Sequence, residues 1–140
     1  MSNACACGSE PLMILACSGG SNVGQLTNQA AVELTREGQG KMFCLAGIGA
    51  QLPPMVKAGA KASGVVVLDG CPIGCAKKIM ENAGLSPGRY VVVTDLGIEK
   101  IKDQALAIQA RDVDAVKAAA LGCAPAPAAE STSGGCGCQG

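Results

Sequence analysis

Apolar, strand-like segments alternate with helix-spaced segments through the middle of this chain. Four segments are predicted to be strands: residues 12–16, 41–46, 64–68 and 89–94. Among these strands, the third is apolar without alternation, which is typical of a strand covered on both faces. Helices are predicted between and after them, at residues 23–36, 53–60, 75–83 and 102–120. This alternation is typical of a parallel sheet with helices on its faces. We therefore predict a compact three-layer, Rossmann-like α/β domain with a mostly parallel four-stranded sheet.

The two ends of the chain differ from its middle. Residues 1–10 and 122–140 are rich in Ala, Pro, Gly, Ser and Cys and have no hydrophobic periodicity. They are predicted to be flexible, cysteine-containing tails. The chain has 140 residues, which allows one domain of ordinary size. We place that domain at residues 11–121.

The composition excludes several classes of function. The chain has nine cysteines and no histidine, which excludes an imidazole general base and any zinc site with imidazole ligands. A bound metal must therefore be held by thiolates or carboxylates. Eleven Lys and Arg residues balance eleven Asp and Glu residues without a basic block, which argues against binding to nucleic acid.

The cysteine count also bears on the compartment. An odd number of cysteines leaves at least one thiol unpaired, and the long Val, Ile, Leu and Ala segments can form a core without disulfides. The apolar run 12–16 is shorter than the roughly 7–15 residues of a signal-peptide core. No apolar run approaches the roughly 20 residues of a membrane span. We therefore expect a cytoplasmic protein with reduced cysteines.

Four cysteines follow the predicted strands. Cys17 comes directly after the first strand, Cys44 lies inside the end of the second, and Cys71 follows the third. Cys75 comes one helical turn later. Because the carboxyl ends of parallel strands share one edge of the sheet, these four thiols are predicted to converge there. Four thiolates hold zinc or a [4Fe–4S] cluster, and zinc is the expected ion. The alternative is that a cysteine near a strand end is only a small core residue, which fits Cys44 best.

The residues around Cys75 favour a thiolate. Cys75 is predicted at the start of a helix, and Lys77 and Lys78 follow in its first turn. Both the helix dipole and cationic side chains stabilise a thiolate. The alternative for both lysines is an ordinary solvated helix face. Asp69 and Asp95 are predicted at the ends of the third and fourth strands. Their carboxylates could accept hydrogen bonds from groups around the site, or one of them could be an oxygen ligand of the metal. The alternative is that they form turns and cap helices.

Residues 17–24 form a glycine-rich turn between the first strand and the first helix. Such a turn can present backbone N–H groups to an anion or a thiolate. It lacks the glycine and lysine spacing of a nucleotide-binding loop. The alternative is a tight turn in which Ser21 or Asn22 caps the helix. Nucleotide binding is not expected.

Several motifs together resemble one family. Residues 17–25 (CSGGSNVGQ), 44–49 (CLAGIG), 69–76 (DGCPIGCA) and 93–98 (VTDLGI) resemble, in this order, the DGC-domain family, which is named for its Asp-Gly-Cys motif. Members of that family are expected to bind zinc. The resemblance implies a small cytoplasmic protein with a thiolate metal site at Cys17, Cys44, Cys71 and Cys75.

The remaining cysteines lie in the predicted tails: Cys5, Cys7, Cys123, Cys136 and Cys138. Vicinal thiols can bind a soft metal or pass it to another site, or they can have no role. The leading hypothesis is a zinc protein for sensing, storage or trafficking, with a redox or metal-transfer protein as a potential partner. Two alternatives remain open. One is a redox or persulfide-carrying enzyme that uses Cys71 or Cys75, and the other is an iron–sulfur electron-transfer protein.

Overall fold

The computed structural model describes residues 12–103 and 107–123. Four strands lie in this part of the chain: β1 (Leu12–Ala16), β2 (Gly40–Met42), β3 (Val65–Asp69) and β4 (Arg89–Val92). Five α-helices accompany them: α1 (Asn22–Arg36), α2 (Leu45–Gly49), α3 (Pro53–Lys61), α4 (Cys75–Asn82) and α5 (Ala110–Leu121). None of these helices is long and apolar enough to cross a membrane.

The four strands form one sheet in the order β2-β1-β3-β4, and all neighbouring strands are parallel. The predicted fold class is therefore confirmed. From β1 the chain moves outward to β2, and it then crosses back to place β3 on the other side of β1. This reversal makes the carboxyl ends of β1 and β3 a topological switch point, which is where open α/β sheets bind ligands.

The sheet separates two apolar clusters, one on each face. Ile14 and Ala16 of β1 face α1 and α5, whereas Leu15 faces α2, α3 and α4. The same alternation holds in β3, where Val66 and Val67 lie on opposite faces. Because both faces are covered, the strands are apolar throughout, and the molecule has the three predicted layers.

Two strands end earlier than predicted. The strand expected at 41–46 ends at Met42, so Cys44 is not inside a strand but caps α2. The apolar run continues into α2, which buries Ile48. A short apolar run does not distinguish a strand from a helix. The strand expected at 89–94 ends at Val92, opposite the last residue of β3, and a 3-10 helix follows at Val93–Leu96.

The last helix begins later than predicted. It starts at Ala110 rather than at residue 102. Residues 99–102 instead lie beside the start of α1, where Ser21 and Lys102 form an antiparallel bridge. Residues 104–106 are outside the described part of the chain. Of the two predicted tails, the structure describes only residues 122 and 123.

Candidate functional site

A cavity of about 390 Å³ lies at the switch point. Its volume falls within the range typical of small-ligand sites. The lining comes from the loops after β1 and β3, the start of α4 and the segment before α5. Three of the four predicted cysteines line it, namely Cys17, Cys71 and Cys75, together with Lys100 and Lys102.

Cys17 is held by neutral hydrogen bonds. Its Sγ accepts from the Gly70 N–H at 3.3 Å and lies 3.6 Å from Thr27 Oγ1. The Thr27 hydroxyl donates its one hydrogen to the Gly24 carbonyl at 2.7 Å and accepts from the Ser18 N–H. The hydrogen between Cys17 and Thr27 must therefore come from the thiol. This network holds the Cys17 side chain among uncharged hydrogen-bonding groups.

Cys71 faces a cation. The Lys100 Nζ lies 3.3 Å from the Cys71 Sγ and donates to it. Both side chains are half-buried beside the cavity. A hydrogen bond from an ammonium group is stronger than one between neutral groups, so this contact places the Cys71 sulfur next to a positive charge.

Asp69 links β3 to the start of α4. Its carboxylate is 1% exposed and accepts from the N–H groups of Ala76 (2.8 Å) and Lys77 (3.0 Å) and from the Tyr90 hydroxyl (3.0 Å). These donors occupy both carboxylate oxygens. Asp69 therefore caps α4, which is one of the roles predicted for it, and the cap fixes Cys75 as the first residue of the helix.

Tyr90 and Lys77 lie on the side of α4 away from the cavity. Burial and the neighbouring Asp69 carboxylate raise the pKa of Tyr90. The Lys77 ammonium lies 5.2 Å from the centre of the Tyr90 ring, a cation–π distance. Neither Lys77 nor Lys78 lines the thiol cavity, and Asp95 is exposed outside it. The predicted support of Cys75 by these two lysines is therefore not seen, and Lys100 is the cation at the thiols.

Cys44 lies at the same edge of the sheet but outside the cavity lining. It is exposed, and its Sγ accepts from the Gly47 N–H at 3.4 Å as the cap of α2. Helices α2 and α4 both begin at this edge and pack together, with Gly49 facing Ile79. The starts of the two helices thus carry Cys44 and Cys75.

The glycine-rich turn after β1 uses its polar groups internally. Ser21 caps α1 by accepting from the Gly24 N–H at 3.3 Å, as predicted. The Asn22 N–H donates to the Ile101 carbonyl. A Cβ atom at Gly24 would lie 2.5 Å from the Gly19 carbonyl oxygen, so the turn is closed tightly on the helix. These contacts account for the Ser21 hydroxyl and for the N–H groups of Asn22 and Gly24 at the start of α1.

The described cysteines are not already gathered around one point. Within residues 12–103 and 107–123, no three Cys, Asp, Glu or His side chains lie close enough together to hold a metal ion. Cys123, which follows α5, is exposed near the opposite edge, since Arg89 at the start of β4 donates to the Ala120 carbonyl. The other tail cysteines lie outside the described residues: Cys5, Cys7, Cys136 and Cys138.

The residues that support Cys17 and Cys71 could not be predicted from the sequence. Thr27 lies inside the predicted helix 23–36, and the only role predicted for Asn22 is to cap that helix. Lys100 lies in a segment without periodicity, just before the helix predicted from residue 102. No local pattern marks these residues, because each acts on a partner distant in the sequence.

Comparisons with known proteins agree with the motifs in the sequence. The family model described as the DGC domain matches residues 13–120. The chain is also 35% identical over 92 residues to the Anaerobic and virulence modulator AnvM of Pseudomonas aeruginosa, a match that spans 65% of this chain and 70% of AnvM. No solved structure matches the chain. The protein belongs to the DGC domain family.

Proposed function

We propose that the protein binds zinc through cysteine thiolates at the carboxyl edge of the sheet and serves in metal sensing, storage or trafficking. One observation carries the proposal. Cys17 and Cys71, which follow neighbouring strands and are far apart in sequence, line one cavity together with Cys75. Sulfur ligands from separate segments are the donor set that zinc sites without histidine use.

The donor groups available to a metal ion in this cavity are mainly sulfur. The Asp69 carboxylate already accepts three hydrogen bonds, two of them from N–H groups of the first turn of α4. Lys100 and Lys102 also line the cavity, but a protonated ammonium group does not bind a metal ion. The three thiols are therefore the soft donors of the lining, and thiolates select soft metals.

Cys17, Cys71 and Cys75 would hold the ion, with Cys44 as the fourth ligand. Cys75 already lines the cavity, and Cys44 and Cys75 are exposed, so their side chains can change rotamer without disturbing the core. The cysteines that bind the ion would do so as thiolates. When bound, zinc joins the separate segments at this edge and, if only three cysteines bind, keeps one position open for a ligand from a partner.

The relative and the free thiols support a regulatory role in a reducing compartment. The matched relative is named a modulator, and we extend a modulating role to this chain in the form of metal sensing or trafficking. The described cysteines are all free, which suits the cytoplasm. The exposed Cys44 and Cys75 are accessible to a metal-transfer partner.

Anaerobic purification of the full chain, followed by elemental analysis and competition with a chromophoric chelator, tests the proposal. We expect a colourless protein with about one zinc per chain, as for a four-thiolate site. Separate Cys17→Ser, Cys71→Ser and Cys75→Ser variants should each lose more than the roughly 10–100-fold in affinity that loss of an outer-shell partner costs. Cys123→Ser, at the opposite edge, is the matched control and should leave zinc binding unchanged.

Three results would contradict the proposal. The first is a metal-free protein, and the second is an equal loss of zinc in Cys123→Ser. The third is visible absorbance with iron and sulfide, which would assign an iron–sulfur cluster instead. Cys44→Ser distinguishes a four-cysteine site, which loses affinity, from a three-cysteine site, which does not.

The contact between Lys100 and Cys71 favours a second candidate, a redox function. In that chemistry the Cys71 thiolate attacks a peroxide oxygen, the O–O bond breaks, and the products are a Cys71 sulfenic acid and hydroxide. Cys75 would be the resolving thiol. A metal-free protein in which peroxide oxidises Cys71 much faster than Cys123 would favour this function over zinc binding.

A further inference from the structure

Lys100 is the only cation hydrogen-bonded to a cysteine sulfur in residues 12–103 and 107–123. The lysine side chain is long and has several rotatable bonds, so holding its ammonium group on one partner costs conformational entropy. The position of the Lys100 backbone therefore decides how well the ammonium is held near Cys71.

A single side chain fixes that backbone on both sides of Lys100. Asn22 is 5% exposed, and its Nδ2 donates to the Glu99 carbonyl at 2.8 Å. Its Oδ1 accepts from the Ile101 N–H at 2.7 Å. The Asn22 amide thus binds the residue before and the residue after Lys100. It does so from the first residue of α1, only a few positions after Cys17.

The two hydrogen bonds of the Asn22 amide form a clamp on the backbone of residues 99–101. The side chains of this segment alternate in direction. Lys100 and Lys102 line the cavity, whereas Glu99 and Ile101 are exposed outside its lining. This alternation is that of an extended segment, in which every second side chain points to the same side. The antiparallel bridge between Ser21 and Lys102 continues the same pairing.

We propose that Asn22 is a positioning residue that holds Lys100 as a fixed cation for the Cys71 sulfur. The proposal rests on the proposed zinc function, because thiolates around one zinc ion leave a net negative charge that a fixed ammonium offsets. The polar head of Asn22 does not line the thiol cavity. It acts on the site through Lys100.

Zinc affinity of the full chain tests this role through a double-mutant cycle. Lys100→Met should weaken zinc binding about tenfold, the lower end of the range for outer-shell partners. Asn22→Ala should weaken it several-fold, and the double variant should be no weaker than Lys100→Met alone. Lys100→Arg should recover most of the affinity. Lys78→Met, on an exposed part of α4 outside the cavity lining, is the matched control and should bind as the wild type does.

A second measurement uses the metal-free protein. Iodoacetate is anionic and iodoacetamide is neutral, and both alkylate the same thiolate. The rate with iodoacetate divided by the rate with iodoacetamide therefore reports the local charge at Cys71 at a fixed pH, and a nearby cation raises this ratio. Site-resolved mass spectrometry gives this ratio for each cysteine. We expect it to fall several-fold at Cys71 in both Lys100→Met and Asn22→Ala, to recover in Lys100→Arg, and to stay constant at Cys123.

The outcomes separate this inference from the zinc proposal. If the wild type binds no zinc but the alkylation ratio falls as expected, the zinc function is wrong and the positioning of Lys100 stands. If Lys100→Met leaves the ratio unchanged, the inference is overturned whatever the zinc content. Additive losses in the double variant would also overturn it, because they would show that Asn22 acts on the fold and not through Lys100.

Discussion

The loops after β1 and β3 each place a cysteine beside the same cavity, but different interactions hold them. The β1 loop is closed by backbone contacts and neutral hydrogen bonds, including those of Thr27 to Cys17 and Ser18. The β3 loop is bordered by charged groups, with the Asp69 carboxylate at one end and the Lys100 ammonium at Cys71.

This difference means that two cysteines in equivalent positions of the topology are not chemically equivalent. Cys17 contacts only uncharged hydrogen-bonding groups, whereas Cys71 accepts from an ammonium. We infer that added volume in the β1 loop lowers the stability of the fold, whereas in the β3 loop the loss of a charge does so. Each prediction below tests one side of this comparison.

The largest effect is expected at Asp69. Asp69→Asn keeps the shape of the side chain and removes the charge from three hydrogen bonds. Its NH₂ group would also point at one or more of the buried donors, which then have no acceptor. We expect a loss of about 3 kcal/mol in the free energy of unfolding, measured by urea denaturation. Asp95→Asn, at an exposed position of the 3-10 helix that follows β4, is the control and should change stability by less than about 0.5 kcal/mol. Equal effects of the two variants would contradict the charge-based description of the β3 loop.

A smaller effect is expected from added volume in the β1 loop. In Gly24→Ala, the new Cβ would lie 2.5–2.7 Å from three backbone atoms of Gly19, none of which can move aside alone. Overpacking of this kind costs about 2 kcal/mol. Gly20→Ala is the matched control in the same loop, because no atom lies within 4 Å of its Cβ position. A Gly24→Ala protein as stable as Gly20→Ala would show that the loop can yield.

The smallest effect is expected at Tyr90, and it depends on pH. Tyr90→Phe removes one hydrogen bond to the Asp69 carboxylate and should cost about 1.5 kcal/mol at neutral pH. Burial and Asp69 raise the pKa of Tyr90 in the folded state, so the unfolded chain loses this proton first as the pH rises. The contribution of Tyr90 is therefore present below a pH of about 10 and declines above it.

Urea denaturation of both proteins from neutral to alkaline pH measures this difference. The wild type should lose more stability than Tyr90→Phe above a pH of about 10, while the lysines titrate in both proteins. Tyr90 is the only tyrosine in the chain, so the ultraviolet absorbance of tyrosinate follows it alone. Parallel pH profiles, with tyrosinate appearing at the ordinary pH, would contradict a Tyr90 held by Asp69.

The sequence predicted those features that depend on local pattern and general topology. The wholly apolar runs of β1 and β3 identified buried parallel strands, and parallel strands place Cys17 and Cys71 at one edge. Ser21 as the cap of α1 followed from its residue type and its place before the helix. The order of the strands did not follow, because hydrophobic pattern carries no information on which strands are neighbours.

Features that depend on distant contacts could not be predicted. The apolar run around Cys44 looked like strand, but Gly47 allows Met55 to approach and the run turns into α2. The start of the last helix was placed at residue 102 because nothing local reveals that Asn22 binds the Glu99 and Ile101 backbone. Lys100 was missed for the same reason, although it is the cation nearest to a cavity thiol.

The clamp between Asn22 and residues 99–101 also has a consequence for biosynthesis. Lys100 is 29 residues beyond Cys71, so at about 5–20 residues per second the ribosome adds it roughly 1.5–6 seconds later. All four cysteines that follow the strands are synthesised before it. Each nascent chain therefore passes through an interval in which Cys71 has no lysine partner, and the contact between the two residues can form only after that interval.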